Sequence, residues 1–450
     1  MYRRVDLVSL VIACSVAGCN EPAEQQISKS AARVTENRVV TTASDRPSWP
    51  ALFGPDRTNE SDESGLQFTW GDQGPPIVWE RPIGTGYSSP VVADGKVVVM
   101  HRLADREIVE CMDASSGEPV WTYDYSSSFN CSVAYSSGPY STPVIAEGVV
   151  YAYGAQGQLN ALTLANGVLL WKRDLHKDYE IEDGLFPAGA TPLLVDDKLI
   201  LSLGGRQTDA GIIAVDAHTG DTVWTTTDHD ASYATPFVAT IHGRKTVFVV
   251  TFEGLIALDP ISGHVHWDSP FRPKSPDSVN ATSPLVLDDH VLMVTGPGPG
   301  AICLRVADDG TCELAWRDRR VLDSQFTGLL LHDDCVFGFT SKRQGGAELR
   351  CVDFRTGQIQ WTFASDLGRG SLLAADGYIV VLGEDGHLAS LELRTDRASM
   401  VSMTPEPILD APCYASPALC NKRLFVRNEK RILCLDVVQK HRRYFDESVE

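Results

Sequence analysis

The sequence predicts an all-β chain folded as an eight-bladed β-propeller, and three observations predict it. A Trp-bearing motif recurs along the chain, Ser/Thr-Pro pairs recur in step with it, and no helical pattern lies between the copies. The motif Asp-x-x-x-Gly-x-x-x-Trp stands as Asp113…Gly117…Trp121, Asp216…Gly220…Trp224, Asp259…Gly263…Trp267 and Asp353…Gly357…Trp361. Thr163…Gly167…Trp171 changes only the first residue, and Ala301 to Trp316 is a stretched copy with Gly310. An apolar strand such as Ile212-Ile213-Ala214-Val215 runs into each turn, where Asp bonds nearby amides and Gly takes a positive φ. The returning strand carries Trp, which buries on the order of 150–250 Å². One four-stranded sheet cannot cover that alone, so each indole is expected to wedge between stacked units.

At the N-terminus, Arg3 and Arg4 precede an apolar run from Leu7 to Val16 that ends Val16-Ala17-Gly18-Cys19. A basic start, a short apolar stretch and small residues before the cut form a secretory leader over residues 1–18. The run is too short to span a bilayer, and no later stretch reaches about 18 apolar residues, so no permanent transmembrane span is expected. The small-small-Cys ending resembles a bacterial lipoprotein signal. That resemblance implies lipidation of Cys19, the alternative being an ordinary leader with a chance cysteine. Asn20, rather than Asp, follows Cys19 and points to the outer membrane. Residues 19–48 are polar without apolar periodicity and read as a flexible tether. Residues 49–76, opening on Trp49-Pro50-Ala51-Leu52-Phe53-Gly54-Pro55, read as an extension packed on the propeller.

The propeller itself is assigned to residues 77–440, with a polar tail over 441–450. Strands open at Ser89-Pro90, Thr142-Pro143, Thr191-Pro192, Thr235-Pro236, Ser283-Pro284 and Ser416-Pro417. Proline is tolerated at a strand's first residue, where no ladder bond is lost. Two further openings lack Pro, around Leu329 and Leu372, which makes eight. The last unit ends at Leu433-Cys434-Leu435-Asp436 without a Trp strand, and Ile77-Val78-Trp79-Glu80-Arg81 stands unmatched before the first opening. Pairing the two closes one ring from both termini and leaves no open edge. The unit from Leu388 to Met400 has lost both Gly and Trp; without it the ring would have seven blades.

Composition narrows the partners. Hydrophobic residues make up 43% and charged residues 22%, enough for a substantial core. The net charge of −20, with no Lys/Arg cluster among aromatics, argues against nucleic acid and against anionic lipid headgroups. Membrane contact is therefore expected only through the lipid anchor.

The repeats, with the Tyr-Ser-Ser-Pro opening at Tyr87 to Pro90, resemble the pyrroloquinoline-quinone (PQQ)-type propeller repeat over Trp79 to Asp436. Trp79, Trp121, Trp171, Trp224, Trp267, Trp316 and Trp361 are its repeat-structural residues. Two groups share that repeat: quinoprotein alcohol dehydrogenases, and the propeller lipoprotein of the outer-membrane β-barrel assembly machinery, which is closer in style. The dehydrogenase resemblance would imply a quinone in the central funnel with Ca²⁺, a catalytic Asp and two adjacent cysteines. None of the 11 cysteines is adjacent to another, no Cys-x-x-Cys exists, and no loop has the Asp/Asn spacing of an oxygen-ligand Ca²⁺ site. No Gly-x-Ser-x-Gly, phosphate loop or His-Glu-x-x-His occurs either. No catalytic residue, metal site or cofactor is assigned; PQQ and calcium belong only to the alternative. His264 and His266 share a strand face without a third ligand, and Gly296-Pro297-Gly298-Pro299-Gly300 reads as a turn. Cys335 and Cys351 fall on adjacent strands, where a disulfide and two free thiols both stay open.

One constellation remains. Aligned on the opening Pro, the residue three before it is Tyr87, Tyr140, Gly189, Tyr233, Ala281, Phe326, Arg369 and Tyr414. Innermost strands ring the channel, so Tyr87, Tyr140, Tyr233, Phe326, Arg369 and Tyr414 are expected to cluster at one mouth. They form either a binding rim or simple packing of the entrance. Arg369 faces an acidic ligand group or a neighbouring carboxylate. The long linkers Ser126 to Gly138, Lys177 to Ala188 and Arg272 to Asn280 are the other candidates. The expected function is non-catalytic: a lipid-anchored scaffold in the periplasm, binding an envelope protein or peptide, with outer-membrane protein assembly implied by resemblance. The alternatives are a quinone-dependent dehydrogenase with an atypical site, and a funnel that binds a small molecule or carbohydrate.

Overall fold

The computed structural model describes residues 47–71, 73–272, 279–341, 346–364 and 367–439, all within one compact unit, Glu36–Glu450. The leader, Cys19, most of the tether and the polar tail lie outside the described residues. Among the described residues no helix is long and apolar enough to cross a membrane.

Eight sheets form an eight-bladed β-propeller, each blade holding four antiparallel strands. Blade 1 runs from channel to rim as Val91–Ala93, Lys96–Leu103, Arg106–Asp113 and Pro119–Ser126. Blades 2 to 6 repeat the plan over 144–174, 193–226, 237–270, 285–318 and 330–364. Blade 7 holds Ser371–Ala375, Tyr378–Leu382, Leu388–Glu392 and Met400–Met403, so the degenerate unit is a blade and the count is eight. Blade 8 joins both ends of the chain: Ile77–Pro82 lies on Arg431–Asp436, with Trp79 opposite Cys434.

The motif residues each have a visible task. Asp113 Oδ1 accepts the amides of Ser115 and Ser116, and Asp216 and Asp259 repeat that turn. The indole N–H of five wedges donates to the carbonyl that follows the motif position in the next blade. Trp79 donates to Ala114 at 3.0 Å, Trp121 to Leu164 at 2.9 Å, Trp171 to Ala217 at 2.9 Å and Trp316 to Phe354 at 2.9 Å. The motif glycine is where the neighbour's indole lands. Gly117 has φ +73°, and a Cβ there would stand 2.7 Å from the Trp79 ring. Glycine is thus required twice, by the turn and by the docking.

Blade 7 has no tryptophan to offer blade 8, and the N-terminal extension takes its place. The Gln67 amide donates to the Val437 carbonyl at 2.9 Å, the acceptor a wedge indole would use. Phe68 is buried among Leu373, Val380, Leu424 and Phe425, with Trp70 packed against the same cluster. Hydroxyls of Ser390 and Ser402 bond the Phe68 and Trp70 carbonyls.

Before that wedge, the extension enters the channel. Trp49 pairs with Val92 of blade 1, and the Pro50 carbonyl takes the Ile145 amide of blade 2. Arg57 Nη2 donates to the Pro192 carbonyl of blade 3 at 3.2 Å, and Asn59 Nδ2 to the Leu329 carbonyl of blade 6 at 3.0 Å. Glu60–Ser61 then leaves as a fifth, parallel strand on Ser371–Ala375. Residues 49–61 therefore form a plug seated against blades 1, 2, 3, 6 and 7.

One buried side chain staples the closure. Arg427 of blade 8 donates to the carbonyls of Gly84, Gly86, Ser88, Met100 and Asn428 and forms no ion pair among the described residues. Burial pushes its pKa down to about 9, and it stays charged at neutral pH.

Candidate functional site

Each inner strand starts at the same end of the ring, and the starts are laced together through the hydroxyls that mark them. The Ser416 amide donates to Ser89 Oγ at 2.8 Å, Ser89 to Thr142 Oγ1 at 3.0 Å, and Thr142 to Thr191 Oγ1 at 3.0 Å. Thr235 does the same to Ser283 Oγ at 3.0 Å. A Ser/Thr hydroxyl is thus an acceptor for the neighbouring blade, and the following Pro brings no unpaired amide into the channel.

Directly outside this belt the aromatic residues come together. Ring centroids of Tyr87 and Tyr140 lie 4.7 Å apart, Tyr87 and Tyr414 5.0 Å, and Phe326 and Tyr414 4.8 Å. Tyr233 joins through Phe186 at 5.8 Å, and Phe186 contacts Tyr135 at 5.6 Å. Arg369 sits behind this arc. Its guanidinium lies 4.6 Å from the Phe326 centroid, pairs with Glu384 at 2.8 Å and donates to Gln325 and the Tyr414 hydroxyl. Of the two roles open to Arg369, the neighbouring carboxylate is the one observed.

These rings line a chamber of about 470 Å³. Leu52 and Phe53 of the plug also line it, so the chamber is blind, and Val133, Tyr135, Leu185 and Phe186 frame it from the first two long linkers. The third linker contributes Val279, and its residues 273–278 lie outside the described ones. Gly189 is small because Tyr140 and Tyr233 close over it; a Cβ there would stand 2.8 Å from the Tyr233 ring. Among the described residues the walls carry no Asp, Glu, Lys, Arg or His. Burial pushes the hydroxyls of Tyr87, Tyr140 and Tyr233 above their ordinary pKa, so they stay neutral.

The framing loops are held rather than loose. Arg102 donates to the carbonyls of Ser127 and Ser137, both at 3.0 Å, and to that of Phe129. Buried Glu107 accepts from Tyr125, Ser127 and the Ala155 amide, tying the same loop to blade 2. Asn280 anchors the end of the third linker through the Thr251 carbonyl at 2.8 Å and the Thr295 hydroxyl at 2.7 Å.

Sequence reasoning did not single out Tyr135, Phe186, Leu52 or Phe53. The first two were legible as aromatics within linkers already noted, and the last two stand in the prefix after Trp49. The remaining candidates stay apart. His264 and His266 touch edge to face at 5.8 Å, and no group of three His, Cys, Asp or Glu among the described residues is placed to hold a metal ion. All nine described cysteines are free. Register sets Cys335 opposite Asp353 and Cys351 opposite Phe337, a diagonal offset.

Comparison with known proteins places this geometry in context. A family model described as "Outer membrane protein assembly factor BamB" matches residues 105–363. The protein of that description from Yersinia pestis is 27% identical over 220 residues, 47% of this chain and 48% of that one. A quinohemoprotein alcohol dehydrogenase from Comamonas testosteroni is 22% identical over 353 residues, 64% of this chain and 48% of its own. The chain thus spans about half the length of the curated relatives it matches. Among solved structures, BamB from Moraxella catarrhalis superposes with a TM-score of 0.56 at 18% identity, covering 81% of this chain and 98% of that one. The Comamonas testosteroni dehydrogenase superposes at 0.63 with 14% identity, covering 92% and 84%. At such identities the structural likeness shows the fold alone.

The quinone and Ca²⁺ that the dehydrogenase resemblance implies do not fit the chamber. PQQ carries carboxylates that call for cationic partners, and Ca²⁺ calls for several oxygen ligands, carboxylates among them. Among the described residues the walls offer neither, and Leu52 and Phe53 line the chamber from the plug.

Proposed function

The chain belongs to the family described as outer membrane protein assembly factor BamB, and from that membership we propose that it is a non-catalytic propeller scaffold in outer-membrane protein assembly. It docks a protein or peptide of the cell envelope at the loop face. In this reading the leader exports the chain, lipidated Cys19 anchors it to the outer membrane on the periplasmic side, and no cofactor takes part. The observation that carries the reading is the mouth itself: an uncharged aromatic rim framed by loops that Arg102, Glu107 and Asn280 hold in place. Rigid loops on a scaffold bind with little ordering cost, and aromatics are enriched where interfaces are most buried.

A photo-crosslinking residue at Tyr135 or Phe186, followed by recovery from solubilised envelope, tests it. An outer-membrane assembly component captured from these positions, but not from Lys172 on the outer edge of blade 2, is the expected result. Equal capture from both faces, or none from either, would refute it. The quinone-dependent dehydrogenase is the second reading, favoured by the breadth of the structural match and opposed by the donor set. Added quinone and Ca²⁺ that produce a spectral change and alcohol-dependent dye reduction would establish it.

A further inference from the structure

We propose that the blind chamber binds an uncharged aromatic side chain, presented by a peptide segment of the docking partner. The inference rests on the scaffold reading above and names the chemistry of its docking site. Size comes first. At about 470 Å³ the chamber falls within the range of sites that enclose a ligand. It has room for one large side chain and its flanking backbone. Leu52 and Phe53 close the inner end, so a chain cannot thread the ring; a guest enters and leaves through the loop face.

Chemistry selects the guest. Among the described residues no ionisable side chain other than tyrosine lines the walls, and there a charged guest would shed its hydration with nothing in return. The polar tips of three rim tyrosines are already turned into the wall. The Tyr87 hydroxyl accepts the Ser136 amide at 3.0 Å, that of Tyr140 donates to the Ser136 carbonyl at 3.0 Å, and that of Tyr414 accepts from Arg369 at 3.3 Å. What faces inward is ring surface. The hydroxyls of Ser89, Thr142 and Ser283 accept neighbouring amides, so the directional groups left for a guest are a few hydroxyls, with that of Thr235 unpartnered among the described residues. Selection is then by shape and ring packing, and an aromatic guest is expected to bind about tenfold more tightly than an aliphatic one of similar area. Ala281, the small residue on the ring of blade 5, leaves the opening that the guest fills.

Titration of the full chain with acetylated, amidated tripeptides Gly-Trp-Gly, Gly-Phe-Gly, Gly-Leu-Gly and Gly-Glu-Gly, followed by calorimetry, tests the proposal. Trp and Phe peptides are expected to bind, Leu about tenfold more weakly and Glu not at all. Ala281→Trp should reduce the affinity for the Phe peptide at least tenfold, and Ala281→Leu, a milder filling, should reduce it less while leaving the melting temperature in place. Binding of none of the peptides, binding as tight for Leu as for Phe, or indifference to both Ala281 variants would overturn it. Crosslinked capture of the same partner by wild type and Ala281→Trp, with peptide binding lost, would sink the chamber's role and leave the scaffold reading standing. Peptide binding without any captured partner would do the reverse.

Discussion

Replacing Arg427 by Met is expected to destabilise the ring by about 3–5 kcal/mol, whereas replacing Arg57 by Met is expected to stabilise it by about 1–2 kcal/mol. Both side chains are buried and neither forms an ion pair among the described residues. Burying a guanidinium costs several kcal/mol in either case. The difference lies in what the fold gives back. Arg427 makes five hydrogen bonds to carbonyls, four of them around blade 1. Each charge-assisted bond is worth about 1.5–3 kcal/mol, and its loss leaves a buried carbonyl unsatisfied. Among the described residues Arg57 makes one bond, to Pro192, and its Nε and Nη1 have no partner; burial pushes its pKa down to about 10. Methionine fills either space without a charge. At about 2.1 cal/mol/K of unfolding entropy per residue, a chain of this size shifts by roughly 1 °C per kcal/mol. Calorimetry on purified R427M, R427K and R57M should therefore give a fall of about 3–5 °C, a smaller fall, and a slight rise. Equal falls for R57M and R427M would refute the hydrogen-bond accounting.

Other outcomes follow from the same geometry. Phe68→Ala should cost about 3–5 kcal/mol in urea unfolding and speed proteolysis between blades 7 and 8, although Phe68 lies outside the repeats. Gly117→Ala sets a Cβ against the Trp79 indole at positive φ and should cost about 2–3 kcal/mol, more than Gly95→Ala, where the space is open. Burial pushes the thiols of Cys111, Cys303, Cys413, Cys420 and Cys434 from 9.0 up to about 12. Their contribution is fully present below pH 9 and is lost as pH rises toward 12. Arg427 and Arg57 pull the other way, since folding lowers their pKa, but two groups oppose five. Urea midpoints at pH 7, 9 and 10.5 should fall at the last step, and a midpoint that rises there would contradict the assignment. A maleimide should label half-exposed Cys131 in the native chain and leave Cys111 and Cys434 untouched, by mass spectrometry.

Repetition made the ring legible. Seven tryptophans and eight strand openings report the same local physics many times, so one irregular copy does not hide the pattern. Closure was readable as well, because Trp79 stood without a blade and the last blade stood without a Trp. The rim could be placed by aligning openings on Pro, since a shared position in the repeat is a shared height in the channel. Single-copy features carried no such signal. Leu52, Phe53 and Arg57 look like a polar-apolar mixture before the first repeat, and nothing local says they enter the channel. Phe68 and Gln67 replace a wedge that blade 7 lost, a substitution between residues more than three hundred positions apart. Arg427 reads as an ordinary strand residue until the carbonyls of the opposite end of the chain surround it.

Sharing the eighth sheet between both ends of the chain also fixes an order of events. While the polypeptide is being made, Ile77–Pro82 emerges early and must wait for Arg431–Asp436. Until then the arc of blades has two raw edges, and residues 66–70 have no eighth sheet to settle against. Native closure belongs to the last stage of biogenesis, and a chain cut short before Arg423 would be left an open arc rather than a smaller circle.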